Sequence, residues 1–253
     1  MPRQPVQPRD NEPAFVLHTY PYRETSLIVE AFTPAFGRIS LVAKGAKRPG
    51  SQMRGLLQAF QPLMLSWSGA GELKTLTNAE WRGGLPLLTG AALLCGFYLN
   101  ELMLKLLAKE DAHPALFDDY ANALALLAQA TAAPAQAAVL RRFELRLLAE
   151  LGYGLALTHD VDTGAAIDAS RMYHYVPDRG AYLVPMNVAR EPGPRRGLIV
   201  RGATLLALAS NTFDAESAAE AKGLMREVLD HHLEERRIVS RRVVRDLMML
   251  EEE

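Results

Sequence analysis

The chain has 253 residues, 49% of them hydrophobic, and carries 28 Lys and Arg against 29 Asp and Glu. That is enough apolar material for one large domain or two ordinary ones, and a net charge of −1 excludes a uniformly basic protein. A single cysteine, Cys95, excludes an intrachain disulfide and a thiolate metal cluster; in "ALLCGFYLNELMLKLL" it reads as a small buried hydrophobe.

The charge is unevenly spread. Residues 1–90 carry 10 Lys/Arg and 6 Asp/Glu, whereas residues 91–190 carry 8 and 11. A positive field confined to the N-terminal third suits a polyanionic partner for one face only. The start, "MPRQPVQPRDNEP", has no apolar stretch of signal length, and no uncharged run approaches the ~20 residues of a membrane span. Residues 1–13 are therefore expected to be a flexible leader on a cytoplasmic protein.

Residues 14–84 are β-rich. "AFVLHTY" is the first candidate strand, with Phe15, Leu17 and Thr19 opposite Val16, His18 and Tyr20. "SLIVEAFT" and "GRISLVAKG" follow, the latter with Ile39, Leu41 and Ala43 on one side and Arg38, Ser40 and Val42 on the other. "PLMLSWSG" and "ELKTLTNAEW" complete a set of five. Five short strands in so small a unit predict a closed barrel of the oligonucleotide/oligosaccharide-binding (OB) type, with a sandwich as the alternative.

Between the third and fourth strands lies "AKGAKRPGSQMRG", with Lys44, Lys47, Arg48 and Arg54 and no acidic residue. It reads either as a phosphate-tracking loop or as a solvated loop that aids solubility. Arg23, Arg38 and Lys74 lie on or beside neighbouring strands and can join the same face. Tyr20, Tyr22, Phe36 and Trp67 offer rings on which single-stranded bases could stack, with Trp67 better placed as core.

From residue 85 to 253 the period is helical. "LTGAALLCGFYLNELMLKLLAKE", "PALFDDYANALALLAQA" and "PAQAAVLRRFELRLLAELGYG" are amphipathic helices, and an irregular insertion rich in Gly, Pro and Asp follows at about 152–197. "GATLLALAS", "AESAAEAKGLMREVLDHHLEE" and "SRRVVRDLMMLEEE" close the chain as helices. The expected fold is α+β in two domains, a small barrel followed by an all-α domain.

Arg141, Arg142 and Arg146 form an arginine cluster on the third helix. They read as partners of Glu144 and Glu150, or as an anion site for an acidic peptide end. Arg237, Arg241 and Arg242 near the C-terminus read as a surface helix or a second phosphate contact. In "THDVD", His159, Asp160 and Asp162 could form a metal or acid/base site; short His/Asp runs in loops are more often solvated. No P-loop, dinucleotide fingerprint, zincin helix or nucleophile elbow is present, which weakens an enzyme reading.

"AFVLHTYPYRETSLIVEAFTPAFGRISLVAKGAKRP" resembles the N-terminal domain of the bacterial recombination mediator family RecO. "LNELMLKLL", "LRRFELRLLAELGYG" and "SRRVVRDLM" continue the match in the family's order over nearly the whole chain. The resemblance implies a non-enzymatic protein without cofactors. It implies binding to single- and double-stranded DNA and annealing of complementary strands coated with single-stranded-DNA-binding protein (SSB). It also implies cooperation with RecR in loading RecA, and a nucleoid-associated location. Lys44, Lys47, Arg48 and Arg54 then favour DNA, and Arg141 and Arg142 become candidates for receiving the SSB C-terminal tail. Some members carry a four-cysteine zinc site after "LGYG"; the corresponding stretch here has no cysteine, so a zinc-free fold is expected. Two other classes compete: a protein–protein adaptor whose barrel holds no nucleic acid, and a metal-dependent hydrolase built on His159, Asp160 and Asp162.

Overall fold

The computed structural model describes residues 8–185, 197–233 and 238–240. It divides into two compact units, residues 1–129 with 238–253, and residues 130–237.

The first unit begins with five strands: β1 (Arg9–Tyr22), β2 (Ser26–Thr33), β3 (Gly37–Ala43), β4 (Pro62–Ser68) and β5 (Leu73–Trp81). They close into a barrel in the order β1-β2-β3-β5-β4, antiparallel except for β3 against β5, as an OB-type barrel requires. Ala14, Val16, Val29, Ala31, Ile39, Leu41, Leu63, Leu65 and Leu76 fill the interior. Ile39, Leu41 and Ala43 all point inward, as the period-two reading of β3 expects. A short helix, α1 (Gln52–Leu56), sits between β3 and β4; Met53 and Leu57 pack against the barrel core.

Two features of β1 differ from the sequence reading. The strand starts at Arg9, inside the stretch read as leader, and Glu12, Pro13 and Ala14 pair with Leu65, Met64 and Leu63. The polar run Asp10-Asn11-Glu12 and Pro13 hid it, because neither carries a strand signal. Strict alternation also fails, since the register shifts between Val16 and His18 and puts Thr19 opposite the inward Val29. Such a bulge leaves a backbone group without a ladder partner. Here the Leu17 carbonyl accepts a hydrogen bond from Asn100 Nδ2 at 2.8 Å.

Asn100 belongs to α2 (Gly90–Leu106), which with α3 (Pro114–Gln129) covers the outer face of β1 and β2. The Tyr120 hydroxyl donates to Asn100 Oδ1, and Phe15 meets Phe117 and Tyr120 at centroid distances of 5.3 and 5.1 Å. Cys95, on α2, is half-buried. The turn between β2 and β3 docks on the α2–α3 connection, where the Glu110 amide donates to the Arg38 carbonyl at 2.9 Å.

Glu101 on α2 accepts the Val239 and Ser240 amides at 2.7 Å each and pairs with Lys105 at 2.9 Å. Burial pushes its carboxyl up, but Lys105 and these two amides outweigh burial and hold it below the ordinary 4.5. A depressed carboxyl stabilises above its ordinary pKa and loses that contribution as pH falls through the folded value. Protection of the Val239 and Ser240 amides from hydrogen exchange should therefore hold at neutral pH and fade below about 4.5. In Glu101→Gln it should be weak at every pH; NMR exchange rates, corrected for intrinsic pH dependence, read both.

The second unit holds α4 (Ala133–Glu150), α5 (Gly202–Ser210) and α6 (Ala215–Leu233), with Phe143, Leu147, Leu205, Leu208, Leu224 and Val228 in its core. It also contains a sheet, so the part after the barrel is not all-α. Strands β6 (Met172–Val176), β7 (Gly180–Leu183) and β8 (Leu198–Arg201) pair antiparallel in the order β7-β6-β8. Tyr173, Tyr175, Ala181 and Val200 are its buried side. Strands this short, set among Gly, Pro and Asp, give too little periodicity to read from sequence.

Candidate nucleic-acid interface

The basic stretch after β3 is organised around Ala46, which is fully buried in the barrel core. The Arg48 amide donates to the Gly45 carbonyl at 3.0 Å, and the Lys47 amide to the Thr25 carbonyl at 2.8 Å. The second bond ties the loop to the β1–β2 turn, which carries Arg23. With Ala46 inside and the backbone fixed, Lys44, Lys47, Arg48 and Arg54 are all turned to solvent. Arg23 is exposed as well, its guanidinium 5.1 Å from the Tyr22 ring centroid. None of these five cations forms a salt bridge among the described residues. Unneutralised cations fixed at one end of a barrel make a site that exchanges counterions for phosphates.

Arg38 and Lys74 are placed differently. Arg38 bonds Glu30 at 3.3 Å on the outer face of the barrel, and the other Glu30 oxygen accepts from the Ser40 hydroxyl at 2.6 Å. Lys74 pairs with Glu110 and donates to the Gly71 carbonyl at 2.9 Å. Both charges are already answered within the unit.

The rings divide in the same way. Trp67 is buried and edge-on to the half-buried Phe36, over which Arg9 lies at 4.9 Å. Tyr20 is exposed, and Tyr22 is half-buried on the same outer face near the basic turn. Trp81 is 59% exposed at the end of β5, its indole N–H directed to Gln61 at 3.4 Å. Nothing in the local sequence marks Trp81 as exposed, since a ring at a strand end gives no alternation to show its face.

In the second unit, Arg141 is buried and pairs with the fully buried Glu144. Arg142, one residue on, is exposed. The two neighbours thus have different jobs available to them. Arg141→Ala should cost about 2 kcal/mol or more of stability, because it strips a partner from a buried carboxylate. Arg142→Ala should change stability by less than about 0.5 kcal/mol. Urea unfolding of the two variants beside the parent separates these roles. Arg237, Arg241 and Arg242 lie outside the described residues.

The "THDVD" stretch is occupied by turn-making. One Asp160 oxygen accepts the Thr163 hydroxyl at 2.7 Å and the Thr163 and Asp162 amides at 2.8 and 3.1 Å; the other accepts the Leu183 amide at 2.6 Å. Burial pushes this carboxyl up, but the bonds from Thr163, Leu183 and Asp162 hold it below the usual range. His159 is exposed, with Nδ1 2.9 Å from the Thr158 hydroxyl. Asp168 works similarly at the next turn, accepting the Ser170 amide and hydroxyl at 2.8 and 2.7 Å. Carboxylate-centred turns thus shape the irregular region between α4 and β6.

A family model described as Recombination protein O N terminal matches residues 9–85, and one described as Recombination protein O C terminal matches residues 87–242. The chain belongs to the RecO family. Proteins named DNA repair protein RecO are similar to it over almost their full length. That of Aromatoleum aromaticum is 51% identical over 242 residues, covering 95% of this chain and 97% of its own. Those of Azoarcus sp. and Dechloromonas aromatica are each 49% identical with the same coverage. The closed barrel is the RecO N-terminal match and carries the exposed cations; the RecO C-terminal match begins just before α2. Among the described residues, no helix is long and apolar enough to cross a membrane.

Proposed function

We propose that the protein is a non-catalytic DNA repair mediator. It binds single- and double-stranded DNA through the basic end of its barrel, anneals complementary strands coated with SSB, and helps load RecA together with RecR. The supporting observation is the group of exposed cations, Arg23, Lys44, Lys47, Arg48 and Arg54, held by a buried alanine and an inter-loop hydrogen bond beside two tyrosines. Phosphates answer these charges, and Tyr20 and Tyr22 add sequence-tolerant stacking. Arg142 is the more accessible arginine for the carboxylates of the SSB tail, with Arg141 setting the helix surface beneath it. The protein works in the cytoplasm, at the nucleoid.

Fluorescence anisotropy of a labelled single strand across a salt series tests this reading. Five phosphate contacts give a slope of about −3 to −4 in log affinity against log salt. Binding that is absent at low salt would move the barrel to the adaptor role and leave the helical surfaces as the working part.

A further inference from the structure

In the second unit, the β6–β7 turn meets the last turn of α6. Asp178 stands at that turn, and His231 and His232 are consecutive near the helix end. His231 Nε2 lies 2.7 Å from one Asp178 oxygen, and His232 Nε2 lies 3.5 Å from the other. One ligand atom from each residue falls within 4.8 Å of the other two. We infer that Asp178, His231 and His232 form a binding site for a divalent transition metal of the zinc class. This inference stands apart from the DNA-binding reading and uses none of its residues.

Four observations carry it. Two imidazoles and one carboxylate form a donor set that zinc-class ions accept, leaving a further position for water or an exogenous anion. The three atoms are already gathered, so closing around an ion needs small side-chain rotations and no backbone rebuilding. The Tyr153 ring stacks on His232 at 4.1 Å and 25°, which fixes the plane of that imidazole. Finally, Asp178 and His232 border a cavity of about 230 Å³, lined also by Tyr153, Tyr175 and Arg179, which provides access and room for the remaining ligand.

The competing account is a hydrogen-bonded brace, in which Asp178 simply ties two histidines at a helix C-terminus. Metal titration separates the two. The full chain, with any affinity tag removed, is titrated with Co2+ and then challenged with Zn2+. One equivalent of Co2+ should produce visible ligand-field bands that Zn2+ abolishes. Asp178→Asn and His232→Gln should each weaken binding by more than the ~10–100-fold that loss of an outer-shell partner costs, and His159→Gln should leave it unchanged. Should those variants misfold, imidazole 15N NMR of the unaltered protein gives the answer: Zn2+ must shift His231 and His232 and spare His18, His113, His159 and His174. Absence of stoichiometric bands, variants that bind like the parent, or shifts centred on the other histidines would each overturn the site and leave the brace.

Discussion

Replacing Lys44, Lys47 and Arg48 together by Glu is expected to weaken single-stranded DNA binding by on the order of 10²–10³-fold near physiological salt, with little change in stability. The three side chains are exposed and form no ion pair among the described residues, so reversal removes nothing that holds the barrel. What it removes is the release of counterions. Each lost single-strand phosphate contact flattens the salt dependence by about 0.7, so the slope should fall by about 2. The reversed charges add repulsion, which makes the affinity loss largest at low salt. Duplex binding should weaken too. Arg38→Gln and Lys74→Gln are the contrasting pair: they break internal ion pairs with Glu30 and Glu110, so their effect should appear in thermal stability before it appears in DNA affinity. If the triple variant binds with the parent's slope, the strand runs elsewhere on the molecule.

Gly37→Ala is expected to cost at least about 3 kcal/mol, enough to threaten the first unit as a whole. Gly37 has φ of +61°, and a Cβ there would lie 1.8 Å from the Asp111 carbonyl oxygen. That neighbour is backbone and cannot rotate away. The left-handed conformation alone costs a non-glycine residue roughly 1–2 kcal/mol, and the clash comes on top. Relief would require the β2–β3 turn to lift from the α2–α3 connection, losing the Glu110–Arg38 backbone bond at 2.9 Å. Gly50→Ala is the internal control. Its φ is +79°, but nothing lies within 4 Å of its Cβ position, so only the conformational cost applies. Denaturant midpoints should therefore fall far more for Gly37→Ala than for Gly50→Ala. Equal losses would mean that the turn does not bear on the helices as described.

Much of this was legible in the chain itself. Alternation in "GRISLVA" decided which side of β3 faces the core, and the change of texture near residue 85 marked where strands give way to helices. Both are local patterns, written by the requirement that one face of each element be apolar. The acid-free run from Lys44 to Arg54 was also legible, because charge composition needs no structure to be counted. The RecO motifs, in order along the chain, agree with the family matches.

Other features depended on residues far apart in sequence. Nothing in "GRI" distinguishes Arg38 from Lys47 as a cation; only the pairing of β2 with β3 puts Glu30 beside the first, and only the buried Ala46 with the Thr25 bond turns the second outward. Arg141 and Arg142 are identical in type, and helix rotation alone buries one beside Glu144 and exposes the other. The start of β1 at Arg9 came from pairing with β4, against weak local propensity. Asp178 and the two histidines are separated by more than fifty residues and meet because a hairpin turn packs on a helix end. The sequence by itself determined element types, core faces and the supply of charge. Tertiary structure decided which charges are neutralised and which donors converge, because ion pairing and coordination depend on distances of a few ångströms that chain order does not encode.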